Sequence, residues 1–306
     1  MITVIGEALV DIIVDTEGQV TSVIGGAPLN TARAVARLGI PATFLGGVST
    51  DAFGERIMRL LEADGVTLAL GAQVPEPTTL AIATLDDSGA ATYRFMMEDT
   101  SAAVVTPEMA RAHVGPDARA LHVGTLGLVL QPLADASVSV VAEAADDQLV
   151  MVDPNCRPSV MSGSPVFRRA LDEVLVRADV VKVSGDDLGF LFPDEDPIAA
   201  AARLQAESGA VVLFTDGANA VRIVMAGREV VIDVPRVPVV DTVGAGDSFS
   251  GGFLAHWLHA RRSRADITDL DAVVAAARYG VAVASVTCQR PGADPPRADE
   301  VPGGWS

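Results

Sequence analysis

The segment "DTVGAGDSF", residues 241 to 249, places Gly244, Ala245 and Gly246 between two carboxylates, Asp241 and Asp247. It follows the apolar run "VPVV" and leads into "SGGFLAHWL". A strand reaching Val240 and a helix of roughly four turns from near Gly246 are therefore expected. Helix starts carry unpaired N–H groups and a partial positive charge, and glycines let the backbone approach a ligand closely. Such a turn is an anion hole suited to phosphate oxygens. A carboxylate in the first helical turn could then accept the proton of an attacking hydroxyl, the base role that phosphoryl transfer requires. Asp is also a favoured helix cap, so Asp247 by itself leaves both readings open. The two glycines and Asp241 weigh toward chemistry.

Other chemistries fit this turn less well. A dinucleotide fingerprint needs a third glycine and an acidic residue after the next strand, whereas here the helix runs into "ARRSRAD". "Gly-Asp-Ser" also occurs in esterases, but a serine nucleophile needs a histidine base. None of the four histidines has the Asp three residues ahead that those enzymes supply. Among 22 basic residues only Lys182 is lysine, and it stands in "VVKVSG", so no Gly-Lys-Ser/Thr phosphate loop exists.

The elements that must position this turn follow from periodicity. Short β-branched runs ("ITVIG", "ATFLGGVS", "ALHVG", "LVMVDP", "VVKVS", "VVLFTDG") alternate with amphipathic segments. In "DAFGERIMRLLEADG", Phe53, Ile57, Leu60 and Leu61 share a face and Gly65 is the stop. This alternation predicts an α/β fold with a mainly parallel sheet covered by helices on both faces. Two stretches break it. "DIIVDTEGQVTSVI" reads as a hairpin turning at Glu17-Gly18, and "TTLAIATLDDSGAATYRFMM" as a second turning at Asp86 to Gly89. They are either independent surface hairpins or the halves of a small antiparallel sheet outside the main layer, a lid or an association surface. The tail from about Pro295 is expected to be poorly ordered.

Bulk composition limits the partners. The chain has 306 residues, 49% of them apolar, enough for one large domain. A formal charge of −18 argues against nucleic acid or anionic membrane. A phosphate-bearing ligand must then be held by backbone donors and a few cations. Two cysteines, Cys156 and Cys288, make no disulfide or metal framework. With no secretory segment and no uninterrupted membrane-length apolar run, the cytoplasm is the expected location.

The residues also resemble a known family. "DTVGAGDSF" and "GGAPLNTARAVARLG" (25–39) are similar to the C-terminal and N-terminal signatures of the ribokinase-like (PfkB) carbohydrate kinases. "GEALVD", "DPNCRPS", "KVSGDD" and "TDGANAV" continue the resemblance in the family's order to about residue 294, most closely in the manner of fructokinases. The resemblance implies a single ribokinase-like domain over 1–306, a three-layer sandwich with a β-sheet lid at about 12–24 and 77–100, and a tail, 295–306, without order. It implies an ATP-dependent kinase that transfers the γ-phosphate to a primary hydroxyl of a small carbohydrate. Fructose is the first candidate; 2-keto-3-deoxygluconate, ribose or a nucleoside are the alternatives. A catalytically silent sugar-binding regulator and a nucleotide-dependent oxidoreductase are the readings from other classes.

Carried onto this chain, Asp247 is the catalytic base, and Gly244, Ala245 and Gly246 form the anion hole. Asp11, Gly25, Gly26 and Asn30 contact the sugar, and Arg157 meets substrate or phosphate. Lys182, Ser184, Thr215 and Gly217 serve ATP. Ser184 and Asp187 stand where the family carries Asn and Glu in its metal-linked motif, and the shorter Asp187 would reach Mg2+ through water. Asp241 and the Val243 carbonyl fall where many members hold a monovalent cation such as K+. A homodimer through the lid is implied. "RFMMEDTSAA" departs from the fructokinase pattern: Met96 and Met97 stand in place of an aromatic-Arg pair, with Arg94 on an undetermined face.

Overall fold

The computed structural model describes residues 1–85 and 91–305. Among these are the strands β1 (Ile2–Ile5), β2 (Leu9–Val14), β3 (Val20–Gly25), β4 (Ala42–Leu45), β5 (Val66–Leu68), β6 (Thr79–Leu85), β7 (Ala91–Met96), β8 (Ala120–Gly124), β9 (Leu149–Asp153), β10 (Val180–Ser184), β11 (Val211–Thr215), β12 (Ala220–Met225) and β13 (Arg228–Asp233). The helices are α1 (Ala27–Arg37), α2 (Ala52–Asp64), α3 (Pro107–His113), α4 (Leu133–Ala142), α5 (Pro158–Met161), α6 (Pro165–Leu175), α7 (Gly185–Leu191), α8 (Pro197–Ser208), α9 (Ala245–His259) and α10 (Leu270–Thr287).

Nine strands form the main sheet in the order β13-β12-β11-β10-β9-β8-β1-β4-β5. The run from β11 to β5 is parallel, and β12 and β13 add an antiparallel edge. Side chains along these strands alternate between two cores, as the two-residue period requires. Val150, Val152, Val181 and Val183 enter one cluster with helices α4, α6, α7 and α8. Met151, Val180 and Leu213 enter the other with α1, α2, α9 and α10. Both faces are covered, hence the continuous apolar strand sequences.

The two stray hairpins form a separate four-stranded sheet, β3-β2-β6-β7. Each hairpin is antiparallel within itself, but β2 and β6 join them in parallel, with Asp11 beside Ala81. The expectation of a wholly antiparallel sheet is corrected at that seam, because the first strand of each hairpin leaves the main sheet in the same direction. The expected turn at Asp86 to Gly89 lies outside the described residues. Arg56 of α2 ties the lid to the body, donating to Ser22 Oγ at 2.8 Å.

Two further expectations are corrected. No ladder reaches Val240 among the described residues: Pro235 and Pro238 lack the N–H a strand needs, and Val239 and Val240 are exposed. The tail is packed rather than loose. Val301 is buried with Leu38 and Tyr279, and the Trp305 ring stacks between His259 and Tyr279 at centroid distances of 4.0 and 4.6 Å. Helix α10 is long and apolar enough by composition to cross a membrane, but its apolar side lies in the second core against α9.

Candidate active site

In parallel α/β sheets the carboxyl ends of the strands open onto the ligand crevice. Here those ends carry Glu7 just after β1, Asp153 at the end of β9, Ser184 at the end of β10 and Thr215 at the end of β11. Helix α9 enters the same region with its N-terminus. It crosses α1 and α10 unusually closely, because a Cβ on Gly251 would stand 2.6 Å from Ala34 Cβ and one on Gly252 2.9 Å from Gly280 Cα. The "SGGF" of the sequence is thus a packing device that seats Asp247 against α1.

Gly244 is the residue before the helix, in a left-handed conformation (φ 75°) that a side chain disfavours. No side chain caps α9; Asp247 is its third residue and points elsewhere. Asp247 Oδ2 accepts a 2.9 Å hydrogen bond from Asn30 Nδ2 on the first turn of α1. Capping, one of the two readings of this aspartate, is therefore not what it does. The expected anion hole is corrected in one detail. The Ala245 amide donates to Thr242 O at 3.2 Å within the turn, whereas the amides of Gly244, Gly246 and Asp247 have no acceptor among the described residues. Three amides without an acceptor thus occur at the helix start that carries the buried Asp247 carboxylate. Burial pushes the Asp247 carboxyl above the ordinary range, against the opposing pull of the Asn30 bond, Lys182 and Arg157.

On the lid side, Asp11 projects from β2 over Gly25, where a Cβ would come within 2.2 Å of Asp11 Oδ2. Gly26 begins α1 with φ 109°, and a Cβ there would meet Glu7 O at 2.5 Å. Burial raises the Asp11 carboxyl to about 6, with Arg157 acting in the opposite sense. Arg157 is exposed and donates to the side chain and carbonyl of Asn155 and to the Cys156 carbonyl. Register settles Arg94. Asp11, Ala81 and Phe95 lie side by side on one lid face, so Arg94, alongside Ile82, is on the other. Met97 packs against the first core and Met96 is exposed, while Tyr93 stacks on Phe95. The aromatic contribution on the Asp11 face was missed in the sequence because only the ladder reveals it.

The nucleotide-side expectations fare unevenly. Thr215 lies beside Ser184 in the ladder, and Gly217 (φ 53°) sits in the turn that follows. Lys182 is 4% exposed and paired with Asp153 Oδ2 at 3.1 Å. It underlies the turn, since a Cβ on Gly246 would lie 2.9 Å from Lys182 Nζ. A strand residue of that parity points into the helix layer, which sequence alone did not decide. Ser184 is corrected to a helix cap: its hydroxyl donates to Asp187 Oδ2 and accepts from the Asp187 amide. Asp187 also accepts from the Ser184 and Cys156 amides at 2.7 and 2.6 Å, leaving little of the carboxylate for a metal except through water. Asp241 Oδ1 and Oδ2 accept from the amides of Val243 and Gly292.

Two buried acids were not singled out from the sequence. Asp153 Oδ1 has no partner among the described residues, and burial raises its carboxyl to about 6 against the pull of Lys182. Glu7 is 1% exposed, its Oε2 likewise unpartnered, and burial lifts it to about 8. Asp153, Asp187 and Asp247 all act electrostatically on the one ammonium of Lys182. No group of three or more His, Cys, Asp or Glu side chains able to hold a metal by itself occurs among the described residues. A divalent cation fits this acidic floor only if it arrives with oxygens of its own, as one bound to phosphates does.

This arrangement of open amides, a buried carboxylate and an acidic floor is that of a phosphoryl-transfer site on an α/β sheet. The chain belongs to the pfkB family of carbohydrate kinases, whose model matches residues 1–300. It is 35% identical over 263 residues to a fructokinase of Rhizobium leguminosarum bv. trifolii, covering 83% of this chain and 79% of the relative. A Klebsiella pneumoniae fructokinase is 32% identical over 83% of each chain. The crystal structure of a Xylella fastidiosa fructokinase with bound ATP superposes with a TM-score of 0.84 at 27% identity, over 95% of this chain and 93% of that one. The fold is the ribokinase fold, and the protein is a sugar kinase acting on a hydroxyl group.

Proposed function

We propose that this chain is an ATP-dependent fructokinase that phosphorylates a primary hydroxyl of the sugar. The observation that carries the reading is Asp247, buried at the start of α9, tethered to Asn30 and flanked by the open amides of Gly244 and Gly246. Asn30, Asp11 and the bare backbone at Gly25 and Gly26 orient the sugar so that its hydroxyl faces the Asp247 carboxylate. Asp247 takes the hydroxyl proton as the oxygen attacks the γ-phosphorus and ADP leaves in line. The raised proton affinity of Asp247 acts in the direction that strengthens a base. The amides receive the charge that develops on the phosphoryl oxygens, and Lys182 beneath them supplies fixed positive potential. Lid closure excludes water.

Asp153 and, through water, Asp187 would hold a nucleotide-bound Mg2+, which would supply neutralisation of phosphate charge. Thr215 and Gly217 flank the nucleotide, and Arg157 reaches substrate or phosphate across the lid mouth. Asp241 and the Val243 carbonyl are read as the K+ loop, the cation joining a carboxylate already held by two amides. Val20 and Met96, exposed on the lid face opposite Asp11, are read as part of a face for a second copy of the chain. Use of ATP and the free thiols of Cys156 and Cys288 support reading the enzyme as cytoplasmic.

The test is ADP release coupled to a panel of ketoses, aldoses, sugar acids and nucleosides. Fructose should give the highest kcat/KM, and Asp247→Asn should lose about 10²–10⁴-fold in kcat while still binding ATP. Near-normal turnover of that variant, or a clear preference for another acceptor, refutes the corresponding part of the reading.

A further inference from the structure

Helix α1 carries more than a sugar contact. Asn30, Arg33 and Arg37 stand at i, i+3 and i+7, one face of the helix. Below Asn30, both arginines converge on a single carboxylate, Asp64 at the end of α2. Arg33 Nε reaches Asp64 Oδ2 at 2.8 Å and Arg37 Nε reaches Oδ1 at 2.6 Å, with the Asp64 side chain 2% exposed. The remaining arms of the two guanidiniums extend to residues 293–295. Arg33 Nη1 donates to Ala293 O at 2.8 Å, and Arg37 Nη1 donates to Asp294 Oδ1 at 2.5 Å and Pro295 O at 2.6 Å.

The far side of that short strap abuts the glycine turn. A Cβ on Gly244 would stand 2.6 Å from Ala293 Cβ, and the Gly292 amide donates to Asp241 Oδ2 at 2.8 Å. Ala293 is therefore held between Arg33 and Gly244. Burying two guanidiniums on one carboxylate costs desolvation that a well-packed apolar cluster would avoid, so such a triad is a poor stabiliser. What a guanidinium fork supplies instead is fixed geometry in two directions at once.

We propose that Arg33, locked by Asp64 and seconded by Arg37, is a positioning residue for the phosphate-binding turn. Through Ala293 it sets the place of Gly244, and with it the open amides at the start of α9. The same helix face thus fixes Asp247 through Asn30 and the anion hole through Arg33, keeping base and amides in register. This inference rests on reading the turn as the phosphate site.

The experiment compares the full-length chain with Arg33→Met by amide hydrogen exchange and by steady-state kinetics. A control, Val174→Ala, loosens the opposite core in α6. Exchange of the hydrogen-bonded amides of Asp241, Val243 and Ala245 should accelerate in Arg33→Met and not in the control. The kcat/KM for ATP should fall about 10–10²-fold, the scale on which a small misplacement of reacting groups acts, with the KM for fructose unchanged. Unchanged exchange at Asp241, Val243 and Ala245, or equal acceleration in the control, overturns the proposal. Should Arg33→Met not fold, Arg33→Lys keeps the charge on Asp64 but lacks the second arm for Ala293 O, and is read by the same exchange. Exchange needs no turnover, so absence of sugar phosphorylation by the unaltered chain would count against the kinase reading alone.

Discussion

Asp247 and Glu7 are both carboxyls kept from water, and burial raises the proton affinity of each, with different neighbours acting on it. At Asp247 burial prevails over the Asn30 hydrogen bond and the positive neighbours Lys182 and Arg157, which oppose it. Glu7 has burial as its dominant influence and feels the repulsion of Asp247, which holds it near 8. The folded chain therefore binds the Glu7 proton where an unfolded chain, titrating near 4.5, has lost it. With more protons on the native state between those values, stability must fall as pH rises through that window. Asp11 and Asp153, each near 6, act in the same sense but finish lower. Glu7→Gln keeps the shape of the protonated acid without titrating. Between pH 6.5 and 8, its urea-unfolding free energy should decline less steeply than the parent's, by up to about 1.4 kcal/mol per pH unit. Parallel curves would show that Glu7 is ionised in the native state.

At the scale of elements, the site is a set of helix starts brought to strand ends. Helix α1 delivers Asn30, α9 delivers Asp247, and α7 delivers the Ser184–Asp187 cap that closes the β10 end. The cap is reciprocal: Ser184 Oγ takes the Asp187 amide and the Asp187 carboxylate takes the Ser184 amide. Ser184→Ala should lower stability by about 0.5–2 kcal/mol in urea titration, as loss of a helix cap does, with the KM for ATP unaltered. A rise in that KM with stability intact would restore the nucleotide contact first expected of this serine. The lid is the other element whose placement matters. Its parallel β2–β6 seam puts Asp11 and Phe95 on one face and sends Arg94 to the other, so the lid offers a carboxylate and aromatic rings on the Asp11 side.

Across the whole molecule, the C-terminal segment secures the helices that carry the chemistry. Trp305 lies against His259 of α9 and Tyr279 of α10, and Val301 fills the third apolar cluster. Upstream, residues 292–295 join Asp241 to α1. The tail is a clasp over the side of α9 remote from Asp247. Trp305→Ala should cost about 1–2 kcal/mol, less than the roughly 3–5 for a fully buried aromatic because the ring is only half-covered. Thermal unfolding should record this as a lower Tm, with kcat for fructose retained at low temperature. An unchanged Tm would mean that the aromatic stack adds nothing to the fold.

What was legible in the sequence is what depends on neighbours along the chain. The period of the strands gave six members of the main sheet, Gly65 ended α2 as expected, and "DTVGAGDSF" located the glycine turn at the start of α9 and its aspartate. A turn's conformation and a helix's start are local properties, so a contiguous motif carries them. Pairings between distant residues have no such local mark. The side of β10 to which Lys182 turns, the sharing of Asp64 by two arginines and the parallel lid seam depended on how the layers stack. So did the grip of Arg33 on Ala293, 260 residues away. Tertiary structure decided these, because burial makes each charged group find its partner in space and leaves the sequence in between free to vary.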